Sequence, residues 1–196
     1  MNIDFENLRR KILELLNTSL PGNVYYHSAE HTADVIEAAE RIAMQEQVNG
    51  PDLVTLKVAA LFHDTGYTVD YLNHERHSCN IARRELMALN VNTEDINRVS
   101  GIIMATEMPQ KPGDVLAEIL CDADLDYLGR DDFFKISHNL FRELQAYGRV
   151  QDEKEWNRMQ LVFLSTHNYF TKSSKQLRQA GKEKHHRMIL NIVANY

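Results

Sequence analysis

The most informative part of the chain is residues 58–67, which read Val58-Ala59-Ala60-Leu61-Phe62-His63-Asp64-Thr65-Gly66-Tyr67. Five apolar residues lead directly into a histidine and an aspartate. An apolar run this dense predicts a helix that is buried on most of its surface. Gly66 is expected to end this helix in the left-handed conformation that glycine adopts easily. The His63-Asp64 pair is therefore predicted to lie in the last turn of a buried helix.

Burying an imidazole beside a carboxylate is costly unless something binds both groups. A divalent metal ion would accept the nitrogen and the anionic oxygen together. The alternative is a hydrogen-bonded His–Asp couple that caps the helix. A two-residue motif alone favours neither interpretation.

The composition is that of an ordinary globular protein. The chain has 196 residues, 43% of them hydrophobic and 26% charged, which is enough for a sizeable core. The net charge of -6 argues against broad binding to nucleic acid or to an anionic membrane, although a local cationic cluster would suffice for a small phosphorylated substrate. Cys79 and Cys121 lie in apolar helical patterns, which predicts buried free thiols in a reducing compartment. Without an apolar leader or a membrane-spanning run, a cytoplasmic protein is expected.

Hydrophobic residues recur with a helical period along nearly the whole chain, and no alternating strand pattern or internal repeat interrupts them. The predicted helices begin near Phe5, Ser28, Asp52, Asn73, Thr93, Val115, Asp131 or Asp132, Asp152 and Lys182. They end near Leu20, Asn49, Asp64, Asn90, Pro109, Leu128, Tyr147, Phe170 and Val193. The loops between them are short, so the prediction is one all-α domain over residues 1–196.

Upstream of the His-Asp pair, a histidine is placed at the start of the second predicted helix. If Ser28 is the N-cap, His31 is one of the first inward-facing residues of that helix. His27 then lies in the loop that approaches the same end of the helix. This predicts two further imidazoles near one helix mouth.

Downstream, residues 120–128 place Asp122, Asp124 and Asp126 within an apolar helix. Since the neighbouring leucines favour burial, at least one of these carboxylates must face inward. A buried unpaired aspartate is unfavourable, whereas a metal-bound one is natural. The pattern therefore predicts an inward-facing aspartate without deciding which of the three it is.

An isolated histidine, a His-Asp pair and a distal aspartate, in this order on a helical chain, resemble the HD superfamily of metal-dependent phosphohydrolases. The resemblance spans about half the chain and implies a single HD-domain helical bundle. It implies four metal ligands, His31, His63, Asp64 and Asp124. Asp124 is preferred because the family's aspartate follows an alanine, and Asp122 is the second choice.

The resemblance also implies a reaction. Two imidazoles and two carboxylates would hold one divalent ion (Mn, Fe, Mg, Ni or Co) and leave positions for a water and a phosphate oxygen. The ion, with Asp64 as one of its ligands, would lower the pKa of that water. The resulting metal-bound hydroxide would attack a phosphoester or phosphoanhydride. By the superfamily's habit, a nucleotide is the expected small phosphorylated substrate.

Four other residues correspond to catalytic or substrate-binding positions of the superfamily. His27 is similar to the general acid of cyclic-nucleotide phosphodiesterases, although Ser28 replaces the asparagine that follows there. His74 and Glu75 resemble a His-Glu-x-x-Ser segment and are expected beside the metal-bound water or the substrate. Glu107 stands where dinuclear relatives have histidine, which favours one metal and leaves Glu107 as a residue on the substrate side.

Phosphate recognition requires positive charge, and two cations are candidates. Arg130 follows the predicted ligand helix, and Lys182 belongs to a Tyr-Phe-Thr…Lys tail found in a subset of HD proteins. His167 and Tyr169 of that tail could help to close one wall of the pocket, whereas His77, His185 and His186 are expected at the surface.

Two other classes of function compete with the hydrolase. One is a catalytically weak regulatory module that binds metal or nucleotide, and the other is a structural helical protein with accidental His-Asp spacing. A homodimer is possible because two-fold assemblies are the commonest.

Overall fold

In the computed structural model, which describes residue 1 and residues 3–196, the fold consists of α-helices joined by short loops. The helices are α1 (Phe5–Ser19), α2 (Ala29–Gln45), α3 (Gly50–Phe62), α4 (His74–Ala88), α5 (Thr93–Met104), α6 (Val115–Asp124), α7 (Phe133–Ala146), α8 (Glu153–Thr166) and α9 (Lys172–Val193). Two 3-10 turns occupy Thr65–Thr68 and Asp126–Gly129. These residues contain no strand, so the all-α prediction is confirmed. None of their helices combines the length and apolar character needed to cross a membrane.

The second half of helix α3 lies at the centre of the larger core, because residues 58–62 are all apolar and fully buried. Leu56, Ala59 and Phe62 are fully buried, and α3 packs against α1, α2, α5 and α6. Apolar neighbours remove the surface of this half of the helix from water, and burial of apolar surface is the main favourable contribution to folding. The carboxyl end of α3 is therefore held inside the protein.

Helices α7 to α9 form a second layer with the turn at Asp126–Gly129. Leu128, Phe133, Leu164 and Ile189 make its apolar core. Asp126 is buried in this layer, where Arg41 and Arg178 each approach one of its oxygens to 2.7 Å. The carboxylate is thus paired within the fold, as burial of an aspartate requires.

The tail helix begins ten residues earlier than the sequence predicts. Thr171 caps α9 through a hydrogen bond from the Ser174 amide to its side chain. Asp122 fixes this end by accepting hydrogen bonds from the amides of Phe170 and Thr171, both at 2.8 Å, and from Thr171 Oγ1 at 2.6 Å. The Ser/Thr/Lys segment is helical because capping and tertiary contacts outweigh its weak helix propensity.

At two helix ends, the residue or the conformation that sets the boundary differs from the prediction. Ser28 caps α2 as expected, but Asn49 rather than Asp52 is the cap position of α3. Gly66 is not left-handed: it lies in the 3-10 turn, where a β-carbon would stand only 1.9 Å from the carbonyl oxygen of His74. Glycine is therefore required for close packing against the start of α4, rather than for a positive φ.

Candidate metal centre

Four side chains meet where α3 ends, contributed by α2, by the end of α3 and by α6. They are His31, His63, Asp64 and Asp124, and their potential ligand atoms all lie within 4.8 Å of one another. His31 Nε2 is 3.3 Å from Asp64 Oδ2 and 3.2 Å from Asp124 Oδ1. His63 Nε2 is 3.1 Å from Asp64 Oδ2 and 3.6 Å from Asp124 Oδ1. The structure thus brings together the four residues that the sequence predicted as ligands.

The two imidazoles are aimed at the centre of this cluster by their surroundings. His63 Nδ1 donates to the carbonyl of Ala60 at 2.8 Å, so the lone pair of Nε2 faces inward. The amide of His31 donates to the capping hydroxyl of Ser28 at 3.2 Å, which fixes the first turn of α2. The ring of Tyr26 lies on His31, with 4.5 Å between the centroids. Both nitrogens are therefore positioned before any ion binds.

The donor atoms of this cluster fit a divalent metal ion. His31 Nε2, His63 Nε2 and Asp64 Oδ2 are buried without a hydrogen-bond partner in the part of the chain that the structure describes. Buried polar atoms are nearly always paired, so three orphaned atoms at one point require an explanation. Two imidazole nitrogens and two carboxylate oxygens suit several divalent ions, and one such ion would satisfy all three atoms.

The charges of the cluster favour a bound cation. Burial alone would lower the pKa of His31, but its contacts with Asp124 and Asp64 outweigh burial and raise that pKa to about 9. The same opposed effects raise the pKa of His63 well above its usual value. Burial would raise the pKa of Asp64, yet the charge of His63 outweighs this and holds it well below its usual range. The site therefore stabilises positive charge, which either protons or a metal ion can supply.

His27 lies in the loop before α2 and is fixed on both ring nitrogens. Its Nδ1 makes a short hydrogen bond with Glu143 Oε1, and the hydroxyl of Tyr67 lies 3.2 Å from its Nε2. Glu143 also accepts from the amides of Tyr26 at 2.8 Å and His27 at 3.2 Å. Burial would raise the pKa of Glu143, but the hydrogen bond from His27 brings it below its usual value. Glu143 thus remains charged and holds the imidazole in one orientation.

His74 and Glu75 begin α4 beside the cluster. His74 Nε2 is 3.7 Å from Asp64 Oδ1 and 3.3 Å from Glu75 Oε1. The ring of Tyr67 stacks on the rings of His74 and His27, with centroids 4.0 and 4.1 Å apart. Burial lowers the pKa of His74 to about 4, so its imidazole is neutral at pH 7. Burial also raises the pKa of Glu75.

A cavity of about 230 Å³ opens beside the cluster. Its polar end is formed by Asp64, Asp124, His27, His74 and Glu75. The opposite wall, from α7 and α8, includes Phe133, Leu140, Leu144, Trp156, Phe163 and Leu164. Within the residues described, no lysine or arginine lines this cavity. The space next to the candidate metal centre is therefore acidic at one end and apolar at the other.

The two predicted phosphate-binding cations lie away from this cavity. The guanidinium of Arg130 contacts both oxygens of Asp34, at 2.6 and 2.7 Å, and both oxygens of Asp132, at 2.6 and 2.9 Å. Lys182 is buried, and its ammonium group donates to the carbonyl of His167. These contacts correct the expectation that either cation reaches the cleft.

Three other residues considered in the sequence analysis, Glu107, Asp122 and His185, lie outside the cavity wall or differ in burial from the prediction. Glu107 is exposed and does not line the cavity. Asp122 is occupied by hydrogen bonds from Phe170 and Thr171 at the start of α9, which leaves Asp124 as the carboxylate of α6 in the cluster. His185 is buried rather than at the surface, because its Nδ1 donates to the Leu128 carbonyl at 2.8 Å and its ring stacks on Phe133.

Sequence reasoning missed the residues that hold the histidines in place. Glu143 lies 116 residues after His27, in a helix whose acidic residues read as ordinary surface groups. The sequence offers no signal for it: Glu143 follows Phe141 by only two positions, which places the two residues on different sides of an α-helix, yet both are buried on α7. Tyr67 and Tyr26 were adjacent to the motifs but carry no signature of their own.

The fold and the cluster together define a helical protein with a buried two-histidine, two-aspartate centre that could hold a metal ion. Residues 28–126 match the family model of the HD domain, which covers half of the chain, and the protein therefore belongs to the HD domain family.

Two solved structures share the fold across nearly the entire chain. One is a predicted HD superfamily hydrolase from an uncultured Thermotogales bacterium, with a TM-score of 0.62 and 19% identity, covering 98% of this chain and 99% of that one. The other is Bacillus subtilis YpgQ in complex with ADP, with a TM-score of 0.68 and 19% identity, covering 97% of this chain and 94% of that one. Comparison with curated proteins gives no significant match.

Proposed function

We propose that this protein is a metal-dependent hydrolase that cleaves a phosphoester or phosphoanhydride bond. The observation that carries the proposal is the convergence of three buried, unpartnered ligand atoms from His31, His63 and Asp64 on one point beside a cavity. His31, His63, Asp64 and Asp124 would hold one divalent ion. Such an ion supplies a Lewis acid that polarises a phosphoryl oxygen and lowers the pKa of a water molecule.

The side chains around the cluster have proton-transfer roles in this proposal. His27 lines the cavity, and Glu143 holds its imidazole in place through Nδ1. His27 Nε2, or the Tyr67 hydroxyl that lies 3.2 Å from it, can donate a proton to the oxygen that leaves the phosphorus, which is general acid catalysis. His74, neutral at pH 7, can accept a hydrogen bond or a proton from the attacking water. Glu75 is close enough to His74 to orient it.

The proposal is tested by elemental analysis of the purified protein together with a screen of phosphoesters and phosphoanhydrides in the presence of Mn²⁺. We expect about one metal ion per chain and turnover of at least one compound. Nucleotides belong in the first panel, since YpgQ, the similar protein from Bacillus subtilis, binds ADP. His77→Ala is the control variant, because His77 lies outside both the cluster and the cavity wall. Metal that is absent even after reconstitution would refute the proposal.

A regulatory module that binds a metal or a nucleotide without rapid turnover is the second candidate. The absence of lysine and arginine from the cavity wall, within the described residues, favours it. Many phosphoryl-transfer enzymes stabilise the transferring group with such cations, and this cavity would rely on the ion alone. Stoichiometric metal with no turnover across the panel would select the module over the hydrolase.

A further inference from the structure

The cavity beside the metal cluster has two chemically different ends, and the difference specifies a ligand. Asp64 and Asp124 reach it at one end, and aromatic and aliphatic side chains of α7 and α8 enclose the other. Binding pockets are mostly apolar, with a few polar groups that orient the ligand. A molecule with one charged group and one apolar group matches this division.

Gln160 and Thr106, two polar side chains of the cavity wall, are already bonded within the protein, whereas the hydroxyl of Tyr26, whose ring lies on His31 at the cluster end, has no hydrogen-bond partner among the described residues. Gln160 Oε1 accepts from the hydroxyl of Ser137 at 2.8 Å, and its Nε2 donates to Asn157 at 3.1 Å. Thr106 donates to the carbonyl of Ile103 at 2.8 Å. A nucleobase would need free donors and acceptors for recognition, and leaving its polar edge unpaired in this wall would be unfavourable. The wall is therefore better suited to a group without hydrogen-bonding atoms.

The charge of the polar end suits one phosphate rather than several. A divalent ion held by the carboxylates of Asp64 and Asp124 is formally neutral, and Glu75 adds a further acidic group. Arg130 and Lys182 are bound elsewhere, and among the described residues no lysine or arginine of the cavity wall offsets a second or third phosphate. Charge repulsion in a partly buried site would penalise each additional anionic group.

We propose that the substrate is a phosphomonoester of a compact apolar alcohol or phenol. Its single phosphate lies at the His/Asp cluster, and its organic group fills the space between α7 and α8. This assignment rests on the proposed hydrolase function. Water adds to phosphorus as the ester P–O bond breaks, and the alcohol leaves with a proton, so that the products are the free alcohol and inorganic phosphate. The volume of about 230 Å³ exceeds the roughly 150 Å³ of an apolar cavity known to hold benzene.

A direct binding measurement is possible because Trp156 lines the cavity and is the only tryptophan of the chain. Titration of the metal-loaded protein with phenylphosphonate should change the tryptophan emission. Methylphosphonate carries the same anionic group without the ring and is the matched probe. Burial of the ring should make phenylphosphonate bind about tenfold to about a hundredfold more tightly. Equal affinities for the two probes would overturn the proposal.

A substitution tests the same cavity by activity. Met159 lines it and is 40% exposed on α8, so Met159→Lys is expected to fold while it places a cation at the wall. The ratio of kcat/KM for phenyl phosphate to that for ATP should fall at least about tenfold, because the ring loses an apolar contact and the triphosphate gains a positive one. Val162→Lys, one turn away, 63% exposed and outside the cavity, should leave the ratio unchanged.

Different results would overturn the substrate assignment and the hydrolase function on which it rests. Faster turnover of ATP than of phenyl phosphate by the natural protein would overturn the substrate assignment and keep the hydrolase. An unchanged ratio in Met159→Lys would do the same. A metal-loaded protein that hydrolyses none of the phosphoesters would overturn the hydrolase itself, and the phosphonate titration would still report whether the cavity binds a ring.

Discussion

Replacing Gly66 with alanine tests whether close packing at the end of α3 positions the candidate site. The new β-carbon would lie 1.9 Å from the His74 carbonyl oxygen, so the 3-10 turn and α4 must separate by at least about 1.5 Å to reach ordinary contact. Separation would also disturb two hydrogen bonds through Ser78, which accepts from the Gly66 amide at 2.8 Å and donates to the His63 carbonyl at 2.6 Å.

The cost follows from these contacts. Overpacking of a tight site costs about 1–3 kcal/mol, and a weakened pair of buried hydrogen bonds adds about 1 kcal/mol. We expect Gly66→Ala to lose about 2–4 kcal/mol of unfolding free energy, which lowers the Tm by about 4–16 °C for a chain of this size. Because Asp64 precedes the turn and His74 follows it, metal content should fall as well.

The assay is urea unfolding and calorimetry of the variant, with metal analysis of the same samples. Gly101→Ala is the matched control, since Gly101 lies in α5 with nothing within 4 Å of the added carbon. That variant should gain up to about 1 kcal/mol, because alanine favours a helix more than glycine does. A Gly66→Ala protein within about 0.5 kcal/mol of the natural one, with full metal content, would refute the packing argument.

Three further results are expected. Asp64→Ala should lose metal and activity yet still fold, as checked by metal analysis and circular dichroism, and full retention of metal would contradict the ligand assignment. Glu143→Gln should lower kcat about 10- to 100-fold with little change in metal content, because the amide no longer fixes the His27 imidazole as the carboxylate does; an unchanged kcat would contradict that role. Without metal, the contacts of protonated His31 with its carboxylate neighbours stabilise the fold below pH 6.5, and this stabilisation should be lost as the pH rises through about 9. Added metal needs neutral imidazoles, so it should stabilise the protein increasingly over the same pH range. Unfolding measurements with and without chelator test both trends.

The helical fold could be predicted from sequence because each helix carries a periodic apolar pattern or a cap. Ser28 and the dense run before His63 gave two helix boundaries beside the site, and the order of the motifs led to the four clustered residues. Local patterns describe local structure, which is why these predictions succeeded. Gly66 shows the limit, since the sequence indicates a helix end there but not the neighbouring backbone that excludes a side chain.

The remaining parts of the site depend on contacts between distant segments. The link from His27 to Glu143 joins residues 116 positions apart, and no periodicity predicts it. Arg130 and Lys182 were chosen as cations for a phosphate because of their positions in the chain. The structure binds them to Asp34, Asp132 and the backbone instead, and of these partners only Asp132, two residues after Arg130, lies in the sequence around either cation.

Two aspartates of α6, only two residues apart, serve different parts of the molecule. Asp124 turns toward the histidines, whereas Asp122 receives the start of α9 through three hydrogen bonds. If the protein is the hydrolase proposed above, losing Asp124 would lower activity by removing a candidate ligand, whereas losing Asp122 would lower it indirectly by releasing the tail helix from α8 and the Asp126–Gly129 turn. A mutational scan scored by turnover alone would therefore count both as ligands of the ion. The melting temperature separates them: that of an Asp122 variant should fall even in excess chelator, where an ion no longer contributes.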